Sequence, residues 1–113
     1  MKIEQLDELK KEVEDAAKKL LGDKLKQVIL YGSYARGDYD EESDVDFACI
    51  VSIPNEEISN YSQSFAEFET ELSLKYSLLV STVLINDGLF VKYKEDLPFF
   101  MNVVKEGVIL YGK

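Results

Sequence analysis

The sequence predicts a small mixed β-sheet with helices packed on it, an α/β (α+β) fold. Two observations carry this. Segments with apolar residues at three- and four-residue steps alternate with short, nearly continuous apolar runs, and Gly, Pro, Asn or Asp separates almost every pair. The resulting order, α-β-(loop)-β-α-β-α-β, is the alternation that builds a sheet with helical cover.

The elements follow in turn. Residues 3–21 read as an amphipathic helix, with Ile3, Leu6, Leu9, Val13, Ala16, Ala17 and Leu20 on one face and Gly22-Asp23 as its stop. Lys26 to Tyr31 is a short strand. The segment from Gly32 to Ser43 is a loop or one short helical turn. Asp44 to Ile53 is the strongest strand, apolar on both faces after its first three residues, as a central strand should be, and Pro54-Asn55 ends it. Glu56 to Tyr76 carries Ile58, Tyr61, Phe65, Phe68, Leu72 and Tyr76 at helical spacing and reads as one long helix. Leu78 to Ile85 is a third buried strand, and Asn86-Asp87-Gly88 a turn. Phe90 to Tyr93 is a short helix or irregular. Leu97 to Glu106 is a helix with Pro98 in its first turn, and Val108 to Tyr111 a last strand.

Composition narrows the function classes. The chain has 113 residues, room for one domain spanning 1–113. Acids outnumber bases 22 to 13 for a net charge of -9, which disfavours a general grip on nucleic acid. Histidine is absent, which removes imidazole bases, His-based triads and nearly every zinc site. The single cysteine, Cys49, excludes an internal disulfide and reads as a core residue. No apolar run approaches the roughly 18 residues of a membrane span, and the N-terminal stretch is Lys/Glu-rich, so no signal peptide and no membrane contact are expected. A cytoplasmic protein is expected.

The chemistry concentrates between Tyr31 and Phe47, YGSYARGDYDEESDVDF. A strand delivers Gly32-Ser33 into a turn that opens a short helix. Gly32 lets backbone approach a ligand closely, and free N–H groups with the Ser33 hydroxyl make a natural place for a phosphate. Arg36, the only arginine in the chain, falls in the same segment and suits planar recognition of an oxyanion. Asp44 and Asp46 stand two apart at a strand start, so both carboxylates point to one face and repel unless a cation lies between them. Mg²⁺ fits, because it takes oxygen ligands, few carboxylates, and completes its shell with phosphate and water.

Rival motifs fail on their own residues. Gly32 to Gly37 begins like a P-loop, yet Asp38-Tyr39 stands where Lys-Ser/Thr must follow. Asp38-x-Asp40 opens like an EF-hand loop, but Ser43 replaces its glycine and Cys49 its glutamate. Each retained feature also has a purely structural reading: a capped turn for Gly32-Ser33, a solvated strand start for Asp44 and Asp46, a surface ion pair for Arg36. Asp38, Asp40, Glu41 and Glu42 read as a solvated acidic loop. What favours chemistry is the combination, Gly-Ser, ten residues, then Asp-x-Asp.

This segment resembles the Gly-Ser-x10-Asp-x-Asp signature of the DNA polymerase β-type nucleotidyltransferase superfamily, and within it the minimal nucleotidyltransferases (MNT). The likeness extends into LLVSTVLIND and PFFMNVVKEGVILYG. It implies a polymerase β-like fold, Gly32, Ser33 and Arg36 at a nucleoside triphosphate, Asp44 and Asp46 as catalytic metal ligands, and Mg²⁺ as cofactor. The implied reaction passes a nucleoside monophosphate, AMP from ATP, to a hydroxyl acceptor. Members paired with HEPN-domain toxins act as antitoxins, some by attaching AMP to a toxin tyrosine, so a HEPN-type partner is implied, in a homo- or hetero-oligomer. One departure stands out. The family's third acid belongs on the strand after the long helix, where this chain has Ser81 or Thr82. A non-catalytic antitoxin on the same fold is therefore the second expectation, ahead of transfer to a small molecule.

Overall fold

The computed structural model describes residues 2–112. Helix α1 (Ile3–Leu21) leads through a 3-10 turn into strand β1 (Leu25–Tyr31), followed by the short helix α2 (Ser33–Arg36) and strand β2 (Val45–Val51). Helix α3 (Ser62–Tyr76), strand β3 (Val80–Asn86), helices α4 (Asp87–Tyr93) and α5 (Pro98–Glu106), and strand β4 (Val108–Tyr111) complete the chain. The expected order and the mixed sheet are both present.

The sheet runs β3-β2-β1-β4. β1 is antiparallel to both β2 and β4, while β2 and β3 are parallel. A parallel pair needs a crossover, and α3 supplies it. The expected central strand, β2, thus sits between two neighbours, which explains its lack of a polar face. The third strand, expected to be buried, is instead an edge, and most of its side chains are half-exposed because no strand among the described residues pairs beyond it.

Two apolar layers sandwich the sheet. On one side Val28, Leu30, Val45, Phe47, Cys49 and Val51 pack against Leu9, Val13 and Ala17 of α1 and Phe65 and Leu72 of α3. On the other, Ile29, Ala48, Ile50 and Ile85 pack against Phe90 of α4 and Val103 of α5. Cys49 is buried in the first layer, as expected, and burial together with the negative charge of Glu69 pushes its thiol up to about 12. Along the outer edge of β3, Ser73 Oγ accepts from Val80 N–H at 2.9 Å and Glu69 Oε1 from Thr82 N–H at 3.0 Å. Side chains one turn apart on α3 therefore satisfy donors that an edge strand would leave open.

Three further expectations are corrected. The single helix from Glu56 divides into a 3-10 segment (Asn55–Tyr61) and α3. Asn55, Ser59 and Asn60 are weak helix formers, and the tighter turn brings Ile58 and Tyr61 against the core. The third strand starts two residues late, because Ser77 takes a left-handed φ of 55° to close α3 and Leu78 N–H returns to Ser73 O. Asn86-Asp87-Gly88 is no free turn: it opens α4, which absorbs the segment at Phe90 to Tyr93. Asn86 Oδ1 caps that helix by accepting from Leu89 N–H at 3.0 Å, and its Nδ2 donates to Ile53 O at 2.6 Å. No helix among the described residues is long and apolar enough to cross a membrane.

Asn86 thus joins β3, α4 and the end of β2 by two bonds. Asn86→Ala is expected to lower unfolding stability by about 1–3 kcal/mol, read by urea denaturation. An unchanged midpoint would show that water replaces both bonds.

Candidate active site

The site is built where β1 ends and β2 and β3 begin. Tyr31 pairs across with Asp46, so the chain leaves β1 directly beside that carboxylate. Gly32 makes the turn with φ 79° and ψ -159°. A Cβ at this position would lie 2.7 Å from Asp46 Oδ2, so both the backbone angle and the contact demand glycine. α2 then starts at once: Ala35 and Arg36 N–H donate to Gly32 O, each at 3.0 Å, and Gly37, at φ 89°, closes the turn on Ser33 O at 2.8 Å. The N–H groups of Ser33 and Tyr34 and the Ser33 hydroxyl have no acceptor among the described residues. Unbonded donors at a helix start that follows a glycine packed on Asp46 are what an anion cradle requires.

Asp44 lies one residue before β2, not within it, and is exposed; Asp46 is the second residue of β2 and half-buried. Val45 and Phe47 between and beyond them point into the α1/α3 core, which turns Asp44 and Asp46 to the opposite face. Burial raises the Asp46 carboxyl above its ordinary range, the negative charge of Asp44 raises it further, and Arg36 opposes both. A cation beside the pair would relieve this repulsion, so the donor set fits a divalent metal that brings phosphate oxygens of its own. No group of three or more His, Cys, Asp or Glu side chains able to hold a metal occurs among the described residues.

The register decides between Ser81 and Thr82. Ser81 pairs with Asp46 in the parallel ladder and shares its face. Thr82 points to the other side, where its hydroxyl donates to Glu69 Oε1. The position in register with the carboxylates therefore carries a hydroxyl. Glu69, which accepts from Thr82, is held on the wrong face.

Arg36 reaches two carboxylates. Its Nε donates to Asp38 Oδ2 at 3.1 Å and Oδ1 at 3.3 Å, and Nη1 donates to Glu106 Oε2 on α5. Asp38 is thus an ion-pair partner as well as an exposed member of the acidic loop. Asp40 and Ser43 stiffen the same loop: Asp40 Oδ1 accepts from Glu42 N–H at 2.9 Å, and Ser43 Oγ from Asp40 N–H at 2.9 Å. Two residues escaped the sequence reading. Tyr31 borders Asp46, and burial with that neighbouring charge pushes its phenol up to about 12. Glu106 lies 70 residues from Arg36, a separation no local pattern reveals. A cavity of about 490 Å³ opens at the far end of the α4/α5 face, with Ile29, Ile50, Phe90 and Val103 on its walls. It holds none of the site residues.

The raised Asp46 carboxyl has a testable sign. A carboxyl whose folded-state pKa exceeds its unfolded value supports the fold only when protonated. That support is complete below the ordinary 3.8 and is lost as pH rises through the folded value. Asp46→Asn is accordingly expected to raise the urea midpoint at pH 7, and its advantage to vanish as pH falls below about 3.8. Equal midpoints at pH 7 would show that Asp46 is as well solvated folded as unfolded.

Comparison with known proteins gives the family and the fold. The family model for the nucleotidyltransferase domain matches residues 6–111. A protein of Methanocaldococcus jannaschii, named a "putative protein adenylyltransferase", is 36% identical over 101 residues, covering 89% of this chain and 93% of its own. Among solved structures, a chain of a toxin–antitoxin complex with AMP-PNP superposes with a TM-score of 0.59 at 19% identity, over 92% of this chain and 73% of its own. A complex of a tri-AMPylated Shewanella oneidensis HEPN toxin with its MNT antitoxin gives a TM-score of 0.52 at 18% identity, over 92% and 70%. At those identities the structures attest the fold, which is the nucleotidyltransferase fold expected from Gly32-Ser33 and Asp44-x-Asp46. By its family match and its curated relative, the chain belongs to the nucleotidyltransferase-domain family.

Proposed function

We propose that this chain transfers AMP from Mg²⁺-ATP to a hydroxyl of a partner protein, a HEPN-type toxin that it thereby neutralises. One observation carries the proposal: the Gly32 turn packs against the Asp46 carboxylate and opens at once into α2, whose first N–H groups, at Ser33 and Tyr34, are left without acceptors among the described residues. Names of relatives and neighbours supply the nucleotide and the partner class, through the adenylyltransferase of M. jannaschii and the AMPylated HEPN toxin of S. oneidensis. The buried thiol of Cys49 suits a reducing cytoplasm.

In this reading Gly32, Ser33 and Tyr34 bind phosphate oxygens through N–H and hydroxyl donors, and Arg36 meets them with its guanidinium. Asp44 and Asp46 would hold the Mg²⁺, which when bound would supply neutralisation of the phosphate charge. The acceptor oxygen bonds to the α-phosphorus, the bond to the bridging oxygen of the leaving pyrophosphate breaks, and the hydroxyl proton passes to solvent water. The chain contributes mainly placement and charge, as is general for phosphoryl-type transfer. Ser81 stands where a third carboxylate would help draw the proton from the acceptor, so turnover is expected to be slow.

That hydroxyl also favours a second reading, an antitoxin that acts by docking alone. A transfer assay separates the two. With α-³²P-ATP, Mg²⁺ and the protein encoded beside it, the partner is expected to gain label, and the Asp44→Ala/Asp46→Ala variant to give none while still forming the complex. Ser81→Asp, which adds a carboxylate in register with Asp46, is expected to raise the rate about tenfold or more. Unlabelled partner with tight binding by both wild type and double variant would leave the docking reading.

A further inference from the structure

Glu106 occupies a place that a carboxylate should avoid. It is the last residue of α5, where the partial negative charge of the helix end repels an acid. Its side chain is nevertheless tucked in, only 16% exposed, against Nη1 of Arg36. Helix stability does not explain it. The ion pair does.

Arg36 is the only arginine in the sequence. A guanidinium carries five N–H donors in one rigid plane. Asp38 takes Nε from within the loop, and Glu106 takes Nη1 from across the fold. Nη2 has no acceptor among the described residues. Two carboxylates thus hold the guanidinium at Nε and Nη1 and leave the donors at the Nη2 end unused. That end has the shape for a two-point contact with an oxyanion. It belongs to the turn that begins at Gly32 beside Asp46.

We propose that Glu106 is a positioning residue for nucleotidyl transfer: together with Asp38 it holds Arg36 so that the free end of its guanidinium meets the triphosphate. The proposal rests on the nucleotide-transfer reading above. Without Glu106, the Arg36 side chain, 45% exposed, keeps one partner on its own loop and must lose its freedom at the moment of binding. With the guanidinium side of the pair 45% exposed and screened by solvent, the pair adds little to folding stability, so its effect belongs to binding.

The lone arginine makes the test direct, because the full chain gives a single arginine Nε–H signal in a ¹H–¹⁵N spectrum. That signal is expected to shift and broaden in Glu106→Gln, and in wild type to move on addition of Mg²⁺ and AMP-PNP. AMP-PNP affinity is expected to fall about fivefold in Glu106→Gln at an unchanged melting temperature, and to return in Glu106→Asp. In an Arg36→Ala background, Glu106→Gln should cost nothing more. Equal or tighter AMP-PNP binding by Glu106→Gln, or the same loss with Arg36 already removed, would overturn the positioning role. If the Arg36 signal depends on Glu106 but wild type ignores AMP-PNP, the nucleotide reading itself fails and takes the proposal with it.

Discussion

The contact between Gly32 and Asp46 is the constraint on which the rest of the site depends. Antiparallel pairing of β1 and β2 puts Tyr31 opposite Asp46, so the chain must turn away within one residue of a carboxylate oxygen. Only a residue with no Cβ and a positive φ does this without collision. Everything downstream inherits its place from that turn. α2 begins immediately, which frees the N–H groups of Ser33 and Tyr34, and Arg36 follows one turn later on the side of Glu106.

The same crowding sets the electrostatics. Asp46 is half-buried, flanked by Asp44 in sequence and by Tyr31 and Ser81 across the strands. Holding its charge there works against the fold, which is a cost that binding sites commonly carry. Arg36 lies near enough to offset part of it, yet it is itself engaged by Asp38 and Glu106. The isolated chain therefore holds surplus negative charge around one cation, an arrangement that an arriving metal–nucleotide complex is suited to rebalance.

β3 shows how a single register position separates two similar residues. Ser81 and Thr82 are adjacent and both carry hydroxyls, but strand alternation sends one to the carboxylates and the other to Glu69. Glu69 and Ser73 meanwhile satisfy the outer edge of β3. The opposite edge strand, β4, leaves the side chains of Val108 and Ile109 exposed.

The sequence by itself determined the element order, the buried middle strands, the turn at Gly32-Ser33 and the pairing of Asp44 with Asp46 on one face. Each is a local consequence of periodicity, of glycine's freedom or of two-residue alternation, and needs no knowledge of distant segments. Helix boundaries were less legible. Asn86 looks like a turn residue until Ile53 O and Leu89 N–H are both within its reach, and the stretch before Ser62 looks helical until packing selects a tighter turn. Only the tertiary structure decided that Ser81 faces the site, that Asp38 is an ion-pair partner, and that Glu106 closes on Arg36. Those relations join residues brought together by strand pairing and by the return of α5, and side chains that meet only through folding leave no periodic trace in the chain.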